Sequence, residues 1–449
     1  MPDRSLNVLL TSLGCDKNTA DSEKMLGLLS SKGFNLTDSY DEADIAIVNT
    51  CCFIKSATEE SIDKIFELAE LKKDRLKFII CAGCMAERYK NEIAADIPEV
   101  DAFVGTASIH RIDEVIDRLM AGEKDVKAFD DINSDLGENF LKDRVITEHP
   151  YMEYLKIAEG CDKRCTYCAI PYFKGKFRSV PMESLLAESR ILAANGVKEL
   201  ILVAQETTSY GIDLYGEKKL HELVSRISEI DGIEWIRLLY CYPEEIYDEL
   251  IVEMASNPKV LHYIDMPLQH TEDHILKKMG RRINREGIYT VVKKLRSAMP
   301  DIVIRTTMIT GFPGETLEDH EALLDTLHEL KFDRLGVFTY SAEEGTPAAE
   351  FPDQIDEDTK EEYRNDIMEL QQELSFESNE KLQDTILDVI IEGYLADEDI
   401  YVARSYRDAP EVDGFIFVNS PTELYSGSIV RVHITGYDEY DLTGDLCEE

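Results

Sequence analysis

Six short apolar runs, each followed by a helical pattern, fill residues 150 to 350 and constrain the fold more than any other feature of the chain. They are EYLKIAE (153–159), ELILVAQ (199–205), WIRLLY (235–240), HYIDMP (262–267), IVIRTTMITG (302–311) and RLGVFTY (334–340). Strands joined by helix-length connections pair in parallel, because a parallel neighbour is reached only by a long crossover. Repeated, such units curl into a barrel with its helices outside and its chemistry at the C-terminal strand ends. Six units predict an incomplete TIM-type (β/α)6 barrel, followed by a charged helix from about Asp356 to Gln383.

The flanking segments read differently. Residues 6 to 122 also alternate, with strands at LNVLLTSLG (6–14), ADIAIVNT (43–50), LKFIICAG (76–83) and AFVG (102–105). That pattern predicts an α/β, doubly wound parallel sheet. Its helices are expected at about Thr19–Lys32, from Ser56 behind a capping box formed with Glu59, and at about Ile109–Met120. The polar, aperiodic stretch that follows is read as a linker. The last 65 or so residues hold five short strand patterns, ILDVIIEG, DIYVARS, DGFIFVN, SIVRVHITG and YDLTGD, which predict a small antiparallel OB-like barrel. The boundaries expected are 5–122, a linker at 123–146, 147–378 and 380–447.

With 90 Asp and Glu against 48 Lys and Arg, the formal net charge is −42. A surface of that sign repels nucleic acid and anionic lipid and attracts basic partners. No apolar run reaches the 18 or so residues of a spanning helix, and the start shows no signal-peptide pattern. We therefore expect a cytoplasmic protein without a membrane partner. Ten cysteines in a reducing compartment are expected to be thiols, not disulfides.

Cys161, Cys165 and Cys168 fall in GCDKRCTYCAIP, a C-x3-C-x2-C spacing directly after the first barrel strand. Three soft thiolates on one tight loop suit an iron–sulfur cluster or zinc, and a three-thiolate site leaves one metal position open. A zinc knuckle completed by a distant ligand is the competing reading. Cys15, Cys51 and Cys84 are distant in sequence, but each follows a strand of the first domain. In an open parallel sheet the loops beyond the strand C-termini converge on one crevice, so these thiols are expected to meet in space. Three small buried thiols without a metal are the alternative there.

These residues carry a family resemblance. The cysteine loop at the end of a first barrel strand resembles the radical S-adenosylmethionine enzymes. SLGCDKNTADSE, NTCCFI, GCMAERY, CAIPYFKGKFRS, LILVAQETTSYG and MPLQHTEDHILKKMGR resemble the methylthiotransferases among them, and the last segment resembles a TRAM domain. The resemblance implies two 4Fe–4S clusters, one on Cys161, Cys165 and Cys168 and one on Cys15, Cys51 and Cys84. It implies S-adenosylmethionine on the open iron of the first, cleaved to a deoxyadenosyl radical, and sulfur carried by the second. It also implies an electron donor such as flavodoxin or ferredoxin, and a sulfur donor. Tyr167 matches a position that stacks on adenine. Gly311 and Gly314 in ITGFPGET, with Gln205 and Glu206 at a strand end, match the surroundings of S-adenosylmethionine. Cys52, Cys81, Cys241 and Cys447 are read as structural, and no side chain is assigned as acid or base.

The family divides into enzymes that modify an adenosine of tRNA and enzymes that modify an aspartate of the small-subunit ribosomal protein S12. Residues 380–449 contain 17 Asp and Glu but 4 Lys and Arg, a net −13. An RNA-binding barrel needs a basic track, so this domain is expected to grip a basic ribosomal protein and not RNA. SLGCDKN, VAQETTSYG and RSYRDAPEVDG (404–414) also resemble the ribosomal-protein branch. The reading is a methylthio transfer to the β-carbon of that aspartate. The tRNA enzyme is one alternative and a non-catalytic iron–sulfur electron carrier is another. A carrier needs neither open coordination sites nor a barrel.

Overall fold

In the computed structural model, the described residues run from 6 to 447 except 91, 138–142 and 148. Position 5, expected to open the first domain, and positions 138–142 of the expected linker lie outside them. The first domain is a six-stranded, all-parallel sheet of β1 (Asn7–Ser12), β2 (Asn35–Leu36), β3 (Ile45–Thr50), β4 (Phe78–Gly83), β5 (Ala102–Val104) and β6 (Val126–Ala128), in the order β2-β1-β3-β4-β5-β6. Helices α1 (Asp16–Ser31), α2 (Lys55–Glu70), α3 (Cys84–Arg88), α4 (Ile93–Asp96) and α5 (Ile112–Met120) cover it. Alternate strand residues serve opposite faces. Ile45, Ile47, Ile80 and Val104 pack with Met25, Leu29 and Val115, while Ala46, Val48, Ile79 and Phe103 pack with Ile65, Leu68 and Met85.

Two expectations are corrected here. Residues 126–128, inside the stretch read as linker, form the edge strand β6, and Arg144 is buried with its guanidinium on Glu23. A three-residue strand with two buried positions leaves too little periodicity to read. The Ser56–Glu59 capping box is also absent. Helix α2 starts one residue earlier, behind Ile54, without a side-chain cap, and Glu59 pairs with Lys55 at 3.6 Å.

The six predicted barrel strands are present as β7 (Met152–Lys156), β10 (Glu199–Val203), β11 (Trp235–Leu238), β12 (Val260–Asp265), β13 (Val303–Thr310) and β14 (Arg334–Thr339), all parallel and in sequential order. A short ribbon of β8 (Ala158–Glu159) and β9 (Arg178–Ser179) follows the first. Leu155, Leu200, Leu202, Ile236 and Ile264 face the outer helices. Tyr154, Ile201, Val203, Leu239 and Tyr263 face the lumen, where Ala20 of α1 joins them. Thus α1 lies between the sheet and β7, the edge strand of the open barrel.

The last domain is a closed five-stranded barrel of β15 (Ile386–Leu395), β16 (Ile400–Ser405), β17 (Ile416–Asn419), β18 (Ile429–Tyr437) and β19 (Leu442–Leu446). It is not wholly antiparallel as expected, because β17 and β19 pair in parallel. It docks on the end of the (β/α)6 barrel where the strands begin. Arg404 and Arg237 both hold Glu199, at 2.6 and 2.8 Å, with all three side chains fully buried. Arg334 pairs with Asp408 at 2.6 Å, and Tyr263 donates to Asp413 at 2.7 Å.

Burial alone would raise the Glu199 carboxyl, but Arg404 and Arg237 outweigh it and hold the group below its ordinary value. A depressed native value stabilises the fold above the unfolded value of about 4.3 and loses that contribution as pH falls through the native value. Removing one member of a buried ion pair costs about 3–5 kcal/mol. Arg404→Ala should lower the unfolding midpoint at pH 7 by that loss, measured by calorimetry. The difference from wild type should shrink as pH falls below the unfolded value of about 4.3 toward the depressed native value of Glu199.

Candidate active site

The order β2-β1-β3-β4 reverses direction between β1 and β3, and ligands in open α/β sheets bind beyond the strand C-termini at such a switch point. Registers Ser12↔Asn49 and Thr50↔Gly83 bring the ends of β1, β3 and β4 to one level. Cys15 therefore caps α1, Cys51 follows β3 and Cys84 opens α3 in one crevice. Gly14, at φ +94°, permits the approach. A Cβ there would lie 2.6 Å from Cys51 Cβ and 2.8 Å from its Sγ. Asn18 donates to Leu13 O at 2.8 Å and Thr50 O at 3.1 Å, while Asn49 donates to Asn18 O at 3.0 Å. Ser61 clamps the backbone of Cys51 from α2, at 3.1 and 3.0 Å.

Cys51 thus turns toward Cys15. Cys52 packs in the cluster of Cys81, Cys84 and Met85, its carbonyl accepting from Arg88 at 2.8 Å. Burial raises the thiols of Cys51 and Cys84, and raises Cys52 and Cys81 to about 12. Cys241 is buried in the barrel wall and Cys447 is half-buried at the end of the described chain.

The second trio sits on the loop after β7. Gly160, at φ +79°, lets the chain pass Lys176 O and Gly175 O, and Cys161 N donates to Gly175 O at 3.1 Å. Cys168 N donates to Cys165 O, and Thr166 is pinned by Met279 O, Lys278 O and Ala348 N. Burial raises the thiols of Cys161 and Cys168 to about 12. The loop continues into α6 (Ile170–Lys174), whose Phe173 and Ala169 pack against Cys84 and Met85 of the first domain. The two cysteine groups therefore share one mouth.

Buried ions hold that mouth together. Lys156 pairs with Asp21, and with Glu159 at 2.7 Å; Lys174 pairs with Glu159 at 3.2 Å. Burial alone would lower Lys174, but Glu159, Cys84, Asp21 and Cys15 outweigh it and keep the ammonium charged. At the rim, Lys17 Nζ lies 3.3 Å from the centroid of the Tyr240 ring, and Tyr240 OH donates to Asp16 at 3.2 Å.

Gln205 Nε2 donates to Glu159 at 2.9 Å, leaving its buried Oε1 unpartnered. Glu206 accepts from Ser209 N at 3.1 Å and from Thr208, and its Oε2 is buried without a hydrogen bond. Tyr167 packs on the cluster of Phe312, Tyr340 and Ala348, which brings it to the 311–314 turn. Gly311 and Gly314 take φ +69° and +82°, and a Cβ on either would strike Lys360 or Lys278. Sequence reasoning did not find Asn18, Lys156, Lys174, Tyr240 or Arg281. Buried lysines run against composition rules; Asn18, Lys174 and Arg281 do fall within SLGCDKNTADSE, CAIPYFKGKFRS and MPLQHTEDHILKKMGR.

Among the described residues, no three Cys, His, Asp or Glu side chains converge as they would on a single metal ion. A tetrahedral ion needs its thiolates about 4 Å apart. In an iron–sulfur cluster each thiolate binds its own iron, so the ligands sit farther apart. Grouped buried thiols with a lysine cation beside them suit an anionic cluster, which ionises the thiols it binds.

Residues 7–105 match the uncharacterized protein family UPF0004, residues 155–327 the radical SAM superfamily and residues 385–447 the TRAM domain. The ribosomal protein uS12 methylthiotransferase RimO of Lachnoclostridium phytofermentans is 53% identical over 440 residues, covering 98% of this chain and 99% of that one. Its namesake in Acetivibrio thermocellus is 48% identical over 444 residues, covering 98% of both chains. That of Clostridioides difficile is 45% identical over 445 residues, covering 99% of both. The structure of the radical S-adenosylmethionine methyltransferase TsrM of Kitasatospora setae shares the fold, with TM-score 0.57, 15% identity and coverage of 77% and 74%.

Two full sites should take up about eight irons per chain on anaerobic reconstitution, four for each 4Fe–4S group. Replacing Cys161, Cys165 and Cys168 with Ala should leave about four. Cys51→Ala and Gly14→Ala should lose the other group, whereas Cys52→Ala should keep it. Iron analysis and absorbance near the charge-transfer band read the outcome, and loss in Cys52→Ala would move the ligand by one residue.

Proposed function

The chain belongs to the family of ribosomal protein uS12 methylthiotransferases, and we propose that it transfers a methylthio group to the β-carbon of an aspartate of that basic protein. The observation that carries this reading is full-length identity to those enzymes, combined with two cysteine groups at one barrel mouth.

Cys161, Cys165 and Cys168 would hold one 4Fe–4S cluster and Cys15, Cys51 and Cys84 a second. When bound, the clusters and S-adenosylmethionine supply the one-electron and sulfur chemistry that an unactivated C–H bond requires. The chain supplies placement. The unpartnered carbonyl oxygen of Gln205 and the Glu206 carboxylate oxygen, which lies 3.9 Å from Lys163 Nζ without a hydrogen bond, offer acceptors for the ammonium of S-adenosylmethionine. Tyr167 offers a ring beside the 311–314 turn, where Gly311 and Gly314 leave room for the side chains of Lys360 and Lys278. Gly14, Asn18 and Asn49 fix Cys15 and Cys51 side by side. Lys17, Asp16 and Tyr240 close the rim, and Lys174 keeps a positive charge beside Cys84 and Cys15. The reaction also draws on a one-electron donor such as flavodoxin or ferredoxin, and on a sulfur donor.

The substrate reading rests on charge. Of the last domain's few cations, Arg404 is turned inward on Glu199 and Glu392, and Arg407 on Asp333. Its outer surface keeps Asp384, Asp388, Asp397, Glu398, Asp399, Glu423, Asp438 and Glu439 exposed. That surface repels phosphate and steers a basic protein. Because the domain docks at the barrel end away from the cysteines, it supports encounter and orientation of the substrate, not the reacting aspartate itself. The tRNA reading lacks a basic track here.

Asp397→Lys, Glu398→Lys and Asp399→Lys together should slow association with uS12 and leave S-adenosylmethionine cleavage by dithionite-reduced enzyme unchanged. Association should also weaken as salt rises, because exposed charges are screened beyond about 10 Å at 0.1 M salt. Methylthio-adenosine formed in tRNA by the unaltered enzyme would refute the substrate assignment. Deleting the whole domain is a poor test, since it strands Glu199, Arg237 and Arg334.

A further inference from the structure

On a chain of net −42, one surface carries the opposite sign. Lys277, Lys278 and Arg282 are exposed within LKKMGRR, and Arg164 is exposed on the neighbouring cysteine loop. Among the described residues none of the four is in an ion pair, while three nearby carboxylates are engaged. Glu244 pairs with Arg281 at 3.3 Å, Glu272 pairs with Arg285 at 3.2 Å, and Asp273 accepts from Arg285 N at 2.7 Å.

Lys277 and Arg282 line an open cleft of about 630 Å³ together with Glu244, Asp273, Arg281 and Asn284. The Arg281 side chain is fully buried there, yet its Nε and Nη1 have no hydrogen-bond partner. Its guanidinium stacks 4.2 Å from the centroid of the Tyr242 ring, and only Nη2 is used, on Pro267 O at 2.9 Å and on Glu244. A buried cation with two idle donors is costly unless an anion completes it. The cleft also abuts the metal-binding loop. Thr166 N donates to Met279 O at 2.9 Å, and a Cβ on Gly280 would lie 3.3 Å from Arg164 O and 3.6 Å from Cys165 Cα.

We propose that the cleft and its rim of Arg164, Lys277, Lys278 and Arg282 are the docking surface for an acidic one-electron donor protein. The inference rests on the radical reading above and assigns it a partner surface. The donor would give up one electron and be oxidised, and the cluster that Cys161, Cys165 and Cys168 would hold supplies the acceptor that is reduced. A basic ribosomal protein is repelled from this patch and attracted to the acidic last domain. The two partners thus approach on surfaces of opposite sign and do not compete.

The probe is an acidic flavodoxin hydroquinone, offered to reconstituted full-length enzyme and to its Lys277→Glu, Arg282→Glu variant. Binding is followed by calorimetry in 20 to 200 mM salt, and S-adenosylmethionine cleavage is driven in parallel by dithionite. The variant should weaken flavodoxin binding about 10-fold at low salt and lose most of the salt dependence. KM for flavodoxin should rise by a similar factor with kcat at saturation kept, and dithionite-driven cleavage should be unchanged. Lys277→Arg with Arg282→Lys should restore binding. Unchanged flavodoxin affinity in the charge-reversed variant overturns the proposal. So does a loss confined to tRNA binding, which would make the patch a nucleic-acid surface. Failure of the unaltered enzyme to cleave S-adenosylmethionine even with dithionite would count against the radical reading itself, a separate outcome.

Discussion

The site depends on one helix held between two domains by buried charge. Helix α1 is capped by Cys15 and lies between the sheet and β7, with Lys17, Asp21, Glu23 and Lys24 all buried. Asp21 and Glu159 share Lys156 and Lys174, while Glu23, Glu153 and Glu188 surround Arg144. Ions taken out of water are tolerated only when each finds partners. Every member therefore constrains the others, and the register between sheet and barrel is narrow. That register carries Cys15 to the barrel mouth and sets Lys17 and Asp16 against Tyr240.

The two ends of the barrel divide the work. At the C-terminal strand ends, loops carry thiols, unpartnered acceptors and left-handed residues such as Arg164 and Tyr240, the strained backbone that concentrates at functional sites. At the strand beginnings, Glu199, Arg237, Tyr263 and Arg334 anchor the last domain through Arg404, Asp408 and Asp413. This network makes the last domain a fixed platform instead of a tethered arm, so its acidic surface keeps a constant relation to the mouth.

Charge is distributed with similar economy. The excess of acid lies outward on the last domain and elsewhere, and two of the three arginines there, Arg404 and Arg407, are turned inward. The unpaired cations beside the cysteine loop stand out against this background. Their neighbourhood with Arg281 and Tyr242 joins an exposed patch to a buried one through a single side chain.

Much of this was legible in the sequence. All six barrel strands and all five strands of the last domain appear where apolar runs placed them, because strand and helix periodicity follow from backbone geometry over a few residues. The C-x3-C-x2-C spacing and the net charge are likewise read directly. Elements with little local pattern escaped: β6 has two buried residues, and α2 starts at Lys55, one residue before the serine that suggested its cap. The sequence already grouped Cys51 with Cys15 and Cys84; tertiary structure alone decided that Cys52 packs with Cys81, Cys84 and Met85. It alone decided that Lys156 and Lys174 are buried, and that the last domain docks on the strand beginnings. Those outcomes join residues tens to hundreds of positions apart. They are fixed by packing and by the pairing of buried charge, which no window of neighbouring residues contains.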